Sequence, residues 1–227
     1  MKPLIGLVCS FANEGRRYVA NATYMDAILK SGGLPVVIPY ITDGDDAVGY
    51  LSRFDGILFS GGPDVHPREY GEEKLPECGD IVESRDVAER LLVSSGLLAE
   101  MPFLGICRGI QSLCTFFGGS LWQDIPSQVG KSVLHSNARH DITASDGTLY
   151  RDVVGDSRFE VNSYHHQALK KLPENMIVGA KADDGIIEAV CFEGRDNALA
   201  VQYHPEMIFD DVHSKRLFSW FVNECKK

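Results

Sequence analysis

The chain has 227 residues, 44% of them hydrophobic and 24% charged, which provides for a substantial core and argues against a disordered chain. Its formal charge is −10 and no Lys/Arg-rich run interrupts that balance. This excludes a nucleic-acid partner, because neutralising phosphates takes clustered basic charge. The 6 cysteines are dispersed without a C-x-x-C pair, so zinc-ribbon and thioredoxin-type motifs lack support and a reducing, cytoplasmic setting is expected.

In chain order, Lys2 leads into an apolar run ending at Cys9. That run is too short for a signal-peptide core and has no small-residue cleavage site after it, so a buried first strand over 4–9 is expected. A helix follows over 18–31, stopped by Gly32-Gly33, then a strand over 34–39. Residues 45–53 read as a short helix and 55–60 as a strand ending at Gly61-Gly62-Pro63. A long Gly-, Pro- and charge-rich loop spans 61–80, a length that in a compact domain is often functional. Residues 82–100 read as a long helix, 103–106 as a strand and 110–117 as the next helix.

The second half changes character. Short β-like runs at 132–135, 141–143, 176–180, 186–192 and 198–202 are separated by turns at Asp146-Gly147, Asp184-Gly185 and Glu193-Gly194. A last helix carries Leu217, Phe218, Phe221, Val222 and Cys225 on one stripe. The alternation in the first half predicts an α/β fold: an open, mostly parallel sheet with helices on both faces, with a β-rich section added in the C-terminal half. No repeat, linker or membrane-length apolar stretch is present, so a single domain over 1–227 with no membrane association is expected.

Chemistry concentrates at Gly105-Ile106-Cys107-Arg108-Gly109, a strand, a tight glycine-flanked turn and a helix. This is the layout of a nucleophile elbow, which lifts a reactive side chain off the end of a sheet. A lone cysteine is more often a small buried hydrophobe. Two features raise the functional reading. In α/β sheets sites form beyond the carboxyl ends of strands, where both Cys107 and Gly61-Gly62 fall. A base is also at hand: Pro205 biases His204 toward an extended backbone, in which His204 and Glu206 share a side and the carboxylate can orient the imidazole. The other polar cluster, Asn162-Ser163-Tyr164-His165-His166-Gln167, could line a pocket. Its adjacent histidines face opposite ways in a strand and make poor co-ligands, so no metal is expected. Gly130-Lys131-Ser132 fails as a P-loop because Ile125 stands where the first glycine is required.

The chain resembles class I glutamine amidotransferases, and within them the stand-alone γ-glutamyl hydrolases of the peptidase C26 group, most closely the γ-glutamyl-γ-aminobutyrate hydrolases. The resemblance rests on Ser60-Gly61-Gly62-Pro63-Asp64-Val65, Tyr70-Gly71-Glu72-Glu73, Arg85-Asp86, the Cys107 turn with Ile110-Gln111 and Gly118-Gly119-Ser120-Leu121. It continues through Val161 to Gln167, Asp184-Gly185-Ile186-Ile187-Glu188-Ala189 and Gln202 to Glu206, in family order across nearly the whole chain. It implies a flavodoxin-like fold and a Cys107–His204–Glu206 triad. It also implies an oxyanion hole from the backbone N–H groups of Gly62 and Arg108, and glutamyl contacts from Gln111, Asn162, Ser163, Tyr164 and His165. The implied activity is cofactor-free hydrolysis of a small γ-glutamyl amide through a cysteine thioester. Two alternatives stay open: a glutaminase subunit feeding ammonia to a separate synthetase, and a non-catalytic binding module. Homodimerisation is also left open. Tyr203 stands where relatives often carry Trp, and Cys114 where Asn is common; both are expected to bear on pocket shape.

Overall fold

A computed structural model describes residues 1–12, 17–39 and 41–226. The first half runs β1 (Leu4–Val8), β2 (Ser10–Ala12), β3 (Arg17–Val19), α1 (Ala22–Lys30), β4 (Leu34–Val37), α2 (Gly44–Leu51), β5 (Gly56–Phe59), α3 (Glu83–Ser94), β6 (Phe103–Ile106) and α4 (Arg108–Phe116). The second half runs β7 (Ser120–Trp122), α5 (Ile125–Gln128), β8 (Ala138–Ala144), α6 (Leu149–Val154), β9 (Arg158–Ser163), β10 (Ala168–Lys171), β11 (Met176–Ala182), β12 (Ile187–Phe192), β13 (Arg195–Val201) and α7 (Val212–Glu224).

Nine strands make one sheet in the order β4-β1-β5-β6-β13-β12-β11-β8-β9. The first five are mutually parallel, and the remaining strands continue antiparallel from β13. The late strand β13 enters beside β6, with Leu199 opposite Leu104 and Val201 opposite Ile106, and so welds the two halves into one sheet.

Alternating strand residues feed two cores, one on each face. On one face Leu7, Leu58, Leu104, Ile106, Leu199 and Val201 pack with Ile28 of α1, Tyr150 of α6 and Phe218 and Phe221 of α7. On the other, Val8, Ile57, Phe59, Phe103 and Ala200 pack with Leu51 of α2, Leu92 of α3 and Ile110 and Leu113 of α4. Each fully buried Leu, Ile or Phe is worth about 1.5–3 kcal/mol relative to exposure.

The structure corrects the expected elements at several points. The first helix begins at Ala22, not residue 18, because residues 17–19 pair with β2 as a two-stranded ribbon. The long helix over 82–100 ends at Ser94: Gly96 turns the chain at φ +76°, and only a short 3-10 turn, Leu97–Ala99, follows. Residues 132–135 form no strand; β8 starts after Asn137, whose φ of 51° redirects the backbone. The loop over 61–80 is tied down rather than loose, by a 3-10 turn at Pro67–Tyr70 and by the Gly79 N–H donating to the Asp64 carboxylate at 2.7 Å. Among the described residues no helix is long and apolar enough to cross a membrane. The carboxyl ends of β5, β6 and β13 lie side by side and present Ser60-Gly61-Gly62, Cys107 and His204.

Candidate active site

Cys107 sits between β6 and α4 with φ 53° and ψ −107°, a conformation that costs a non-glycine residue about 1–3 kcal/mol and persists only where the surroundings impose it. Here they do. The Cys107 N–H donates to Val201 O at 2.8 Å, and its carbonyl accepts from the Ile110 N–H at 3.1 Å. The flanking glycines are required by close approach. A Cβ on Gly109 would run into the Phe59 carbonyl oxygen, and one on Gly105 would lie 2.9 Å from Ala200 Cβ. The elbow is therefore wedged between β5 and β13, with the Cys107 side chain at the first turn of α4.

His204 follows β13 and is gripped by its backbone: its N–H donates to Asn162 Oδ1 at 3.0 Å, and Asn162 Nδ2 donates to its carbonyl at 2.9 Å. Its ring Nδ1 donates to Glu206 Oε1 at 2.7 Å. The two residues meet through a 3-10 turn, Pro205–Ile208, rather than the extended segment expected from Pro205. Proline at the first turn position supplies the preset φ that starts it. Burial disfavours the charged His204 ring, but the Cys107 sulfur, within hydrogen-bonding reach, and Glu206 outweigh that and hold its pKa above the ordinary histidine value. Tyr24 Oη accepts the Gly61 N–H at 2.9 Å and lies 3.4 Å from His204 Nδ1. A Cβ on Gly61 would meet Tyr24 Oη at 2.7 Å and His204 Cε1 at 2.9 Å, so the glycine is what lets strand end, imidazole and tyrosine converge.

Beneath the elbow lies a charge network that the sequence reading reached only as the motif Arg85-Asp86. Arg85, Asp86, Glu89 and Arg108 are all buried. Arg85 pairs with Glu89 at 2.7 Å and donates to the carbonyls of Ser60 at 2.6 Å and Gly61 at 2.9 Å. Arg108 pairs with both Asp86 and Glu89. The Gly62 strand end and the first residue of α4 are thus clamped through one set of ion pairs.

Two clefts flank Cys107 and His204. A cavity of about 60 Å³ is lined by Gly62, Asp64, Cys107, Gln111, Tyr164 and His165, with His166 and Gln167. A wider one of about 300 Å³ lies on the other side, lined by Val19, Ala20, Asn21, Tyr24, Gly61, Pro63 and His204 among others. Of the expected glutamyl contacts, Gln111, Tyr164 and His165 line the smaller cavity, although Gln111 Nε2 also donates to Gln167 O and Gln202 Oε1 at 3.2 Å. Asn162 and Ser163 do not reach it. The Asn162 amide is committed to the His204 backbone, and Ser163 Oγ donates to His135 O at 2.6 Å. As neighbours in β9 the two face opposite sides, and each is buried by its own tertiary partner, His204 for Asn162 and His135 for Ser163. Asp64, Tyr24 and Asn21 are pocket residues that sequence reasoning missed. Tyr203 and Cys114 do not line either cleft: Tyr203 is in the core with its hydroxyl 3.1 Å from Tyr150 Oη, and Cys114 packs under Phe59 and Leu121.

The peptidase C26 family profile matches residues 3–206. The chain belongs to the peptidase C26 family. Among its curated relatives, the γ-glutamyl-γ-aminobutyrate hydrolase PuuD of Escherichia coli K12 is 30% identical, aligned over 99% of this chain and 94% of that protein. Protein NtpR of Enterococcus hirae is 33% identical over 88% of this chain and 87% of that one. The crystal structure of a glutamine amidotransferase from Thermotoga maritima superposes over 100% of both chains with a TM-score of 0.67 at 16% identity, which establishes the fold. That fold is the flavodoxin-like one of class I glutamine amidotransferases. In this C26 chain the matched segment ends at Glu206, so it takes in the elbow, the Gly61-Gly62 strand end and the His204–Glu206 pair.

Proposed function

We propose that this chain hydrolyses the γ-glutamyl amide bond of a small γ-glutamyl amine, with γ-glutamyl-γ-aminobutyrate, the substrate named for the E. coli relative, as the first candidate. The observation that carries the reading is the strained Cys107 elbow facing a buried histidine whose far nitrogen is held by Glu206 at 2.7 Å. A binding module has no need of all three.

In the proposed reaction the Cys107 thiolate adds to the γ-carbonyl carbon, and the negative charge on oxygen is taken by the Gly62 and Arg108 backbone N–H groups. The His204 imidazolium gives its proton to the departing nitrogen as the C–N bond breaks, leaving a γ-glutamyl thioester and the free amine. Forming the thioester takes away the Cys107 hydrogen-bond partner that helps to hold the His204 pKa up. Burial then favours the neutral ring, which is the form needed to take a proton from water. Water adds to the thioester, the C–S bond breaks, and glutamate and the Cys107–His204 pair are regenerated. Glu206 keeps the imidazole oriented in both halves. The glutamyl group fits the smaller cavity beside Gln111 and Tyr164, and the wider cleft by Asn21, Tyr24 and Pro63 receives the amine.

The test is a panel of γ-glutamyl amides, glutamine included, assayed with wild type and Cys107→Ala. We expect partner-independent turnover of a γ-glutamyl amine and a loss of about 10⁴-fold or more in the variant. Equal turnover by both proteins would refute the nucleophile. Activity confined to glutamine and dependent on a second protein would replace the hydrolase with an ammonia-supplying subunit.

A further inference from the structure

Behind the smaller cavity, on the antiparallel side of the sheet, three histidines surround one buried carboxylate. His135 comes from the segment before β8, His140 from β8, His165 from the β9–β10 connection and Glu188 from β12. Their side chains are 3%, 7%, 2% and 0% exposed. His135 Nδ1, His140 Nε2 and His165 Nε2 point at the same oxygen, Glu188 Oε1, from 3.3, 3.2 and 3.5 Å.

The opposite nitrogen of each ring is already engaged by a group that can only accept. His135 Nε2 donates to Asp184 Oδ2 at 3.0 Å, His140 Nδ1 to Leu134 O at 3.2 Å and His165 Nδ1 to Gln167 O at 2.9 Å. A neutral imidazole has one N–H. With that proton on the outer nitrogen, the inner one presents a lone pair to a carboxylate oxygen, which is repulsive. A doubly protonated His135 would be satisfied between Asp184 and Glu188, but the inner lone pairs of His140 and His165 would still face Glu188. Protonating all three rings would gather three cations against one oxygen, with centroids 4.7 and 4.9 Å apart for His135–His140 and His135–His165. The contacts are also long for charge-assisted hydrogen bonds, which run about 2.7–2.9 Å. Among the described residues, Glu188 Oε2 has no hydrogen-bond partner, and His135 Nδ1 and His165 Nε2 have none beyond these long contacts to Glu188 Oε1.

We propose that His135, His140, His165 and Glu188 form a divalent transition-metal site, with zinc the ion it suits best. An ion at the centre takes the three inner lone pairs and the carboxylate charge at once. With ligand bonds of about 2.0–2.2 Å, a tetrahedron around zinc has edges of about 3.3–3.6 Å, the spacing these ligands hold from Glu188. Donor atoms of His135, His140 and Glu188 all lie within 4.8 Å of one another; His165 stands outside that mutual set and approaches it through Glu188 Oε1 at 3.5 Å, so an ion must draw it in as the fourth ligand. The outer hydrogen bonds to Asp184 and to two backbone carbonyls are the arrangement that fixes the tautomer and orientation of ligating histidines. Imidazole and carboxylate donors without sulfur suit zinc and neighbouring ions rather than calcium or magnesium. A cleft lined by Lys131, Leu134, His135 and His165 provides an entry path. Four protein ligands leave no open position, so the ion is structural: it pins the β9–β10 connection, which carries Tyr164 and His165, to β8 and β12. His166, the neighbour of His165, faces Asp64 and Asp124 instead and takes no part. The site stands whether or not Cys107 performs the proposed reaction, and it shares the Tyr164–His165 wall with the smaller cavity.

The experiment uses the full chain carrying Cys107→Ser, which removes the thiol paired with His204. After dialysis against a chelator, Zn²⁺ and Co²⁺ are titrated with stoichiometry and affinity measured. We expect one equivalent per chain, tetrahedral cobalt bands without a thiolate-to-cobalt charge-transfer band, and a rise in melting temperature on loading. His140→Ala should abolish that uptake. Asp184→Asn, which keeps every ligand, should weaken it about 10–100-fold. In the wild-type background, chelation should raise KM for the γ-glutamyl amide more than it lowers kcat, because the acyl-side wall loosens. Less than one equivalent bound to the parent, a thiolate band, or uptake as tight in both variants as in the parent would overturn the site.

Discussion

Gly61→Ala tests whether the contact between the Gly61 strand end and the Cys107–His204 pair is as tight as the structure has it. An added Cβ would lie 2.7 Å from Tyr24 Oη and 2.9 Å from His204 Cε1, against an ordinary contact beginning at 3.4 Å, so the two groups must yield about 0.7 and 0.5 Å. Neither can move freely. Tyr24 is buried and receives the Gly61 N–H itself, while His204 is held on both backbone atoms by Asn162 and on its ring by Glu206. Overpacking of this kind costs about 1–3 kcal/mol of stability, within reach of a domain with two extensive cores. Displacing a base by a large fraction of an ångström from its nucleophile costs far more in rate, about 10²-fold for 1 Å. We therefore expect a folded protein with kcat on a γ-glutamyl amide lowered about 10–100-fold and KM little changed. The assay is steady-state kinetics alongside thermal melting. A folded Gly61→Ala protein with wild-type kcat would refute the argument that Gly61, Tyr24 and His204 set one another's positions.

Asn162→Ala strips the His204 N–H of its partner and leaves the carbonyl only the Met207 N–H at 3.2 Å; it should cost about 1–3 kcal/mol in chemical denaturation and lower kcat, whereas a substrate-contact role would appear in KM. Arg85→Met leaves Glu89 short of one buried partner and releases the Ser60 and Gly61 carbonyls, so a stability loss of about 3–5 kcal/mol is expected from the same measurement. Asp211 caps α7 by accepting the His213 and Ser214 N–H groups. Burial raises its carboxyl pKa, but the His213 bonds outweigh that and the net shift is downward. A depressed pKa contributes stability above the unfolded value of about 3.9 and loses it as pH falls through the folded value. Asp211→Ala should thus destabilise by about 1 kcal/mol near neutral pH, with the gap in melting temperature closing in acid.

What could be read from the sequence was local. The Cys107 elbow is five contiguous residues whose glycines are required by the backbone they pass, and the His204–Glu206 pair is two residues apart. That pair was recognised although Glu206 lies in a 3-10 turn, because His204 caps the turn with the non-helical backbone expected before Pro205, φ −111° and ψ 80°. The strands of the parallel half were legible from apolar runs bounded by glycine. The ribbon of β2 and β3 was not, since Tyr18 and Val19 continue into a helical pattern and only pairing with residues 10–12 distinguishes them. The supports of the site are long-range: Tyr24 reaches His204 across 180 positions and Asn162 reaches it across 42. No periodicity signals such contacts. Arg85 and Glu89 have the spacing of an exposed helical ion pair, and only the fold reveals that they are buried under the elbow. The same holds for His135, His140 and Glu188, which three different segments bring together.

The central claim is that Cys107 carries the γ-glutamyl group. Rapid acid quenching of the wild-type protein during turnover of a slow γ-glutamyl amide, followed by intact-mass and peptide mapping, tests it directly. The account predicts a mass gain of one γ-glutamyl residue on the peptide containing Cys107, labile to hydroxylamine and absent from Cys107→Ala. Turnover without that adduct under conditions where deacylation is rate-limiting, or an adduct on another residue, would contradict it.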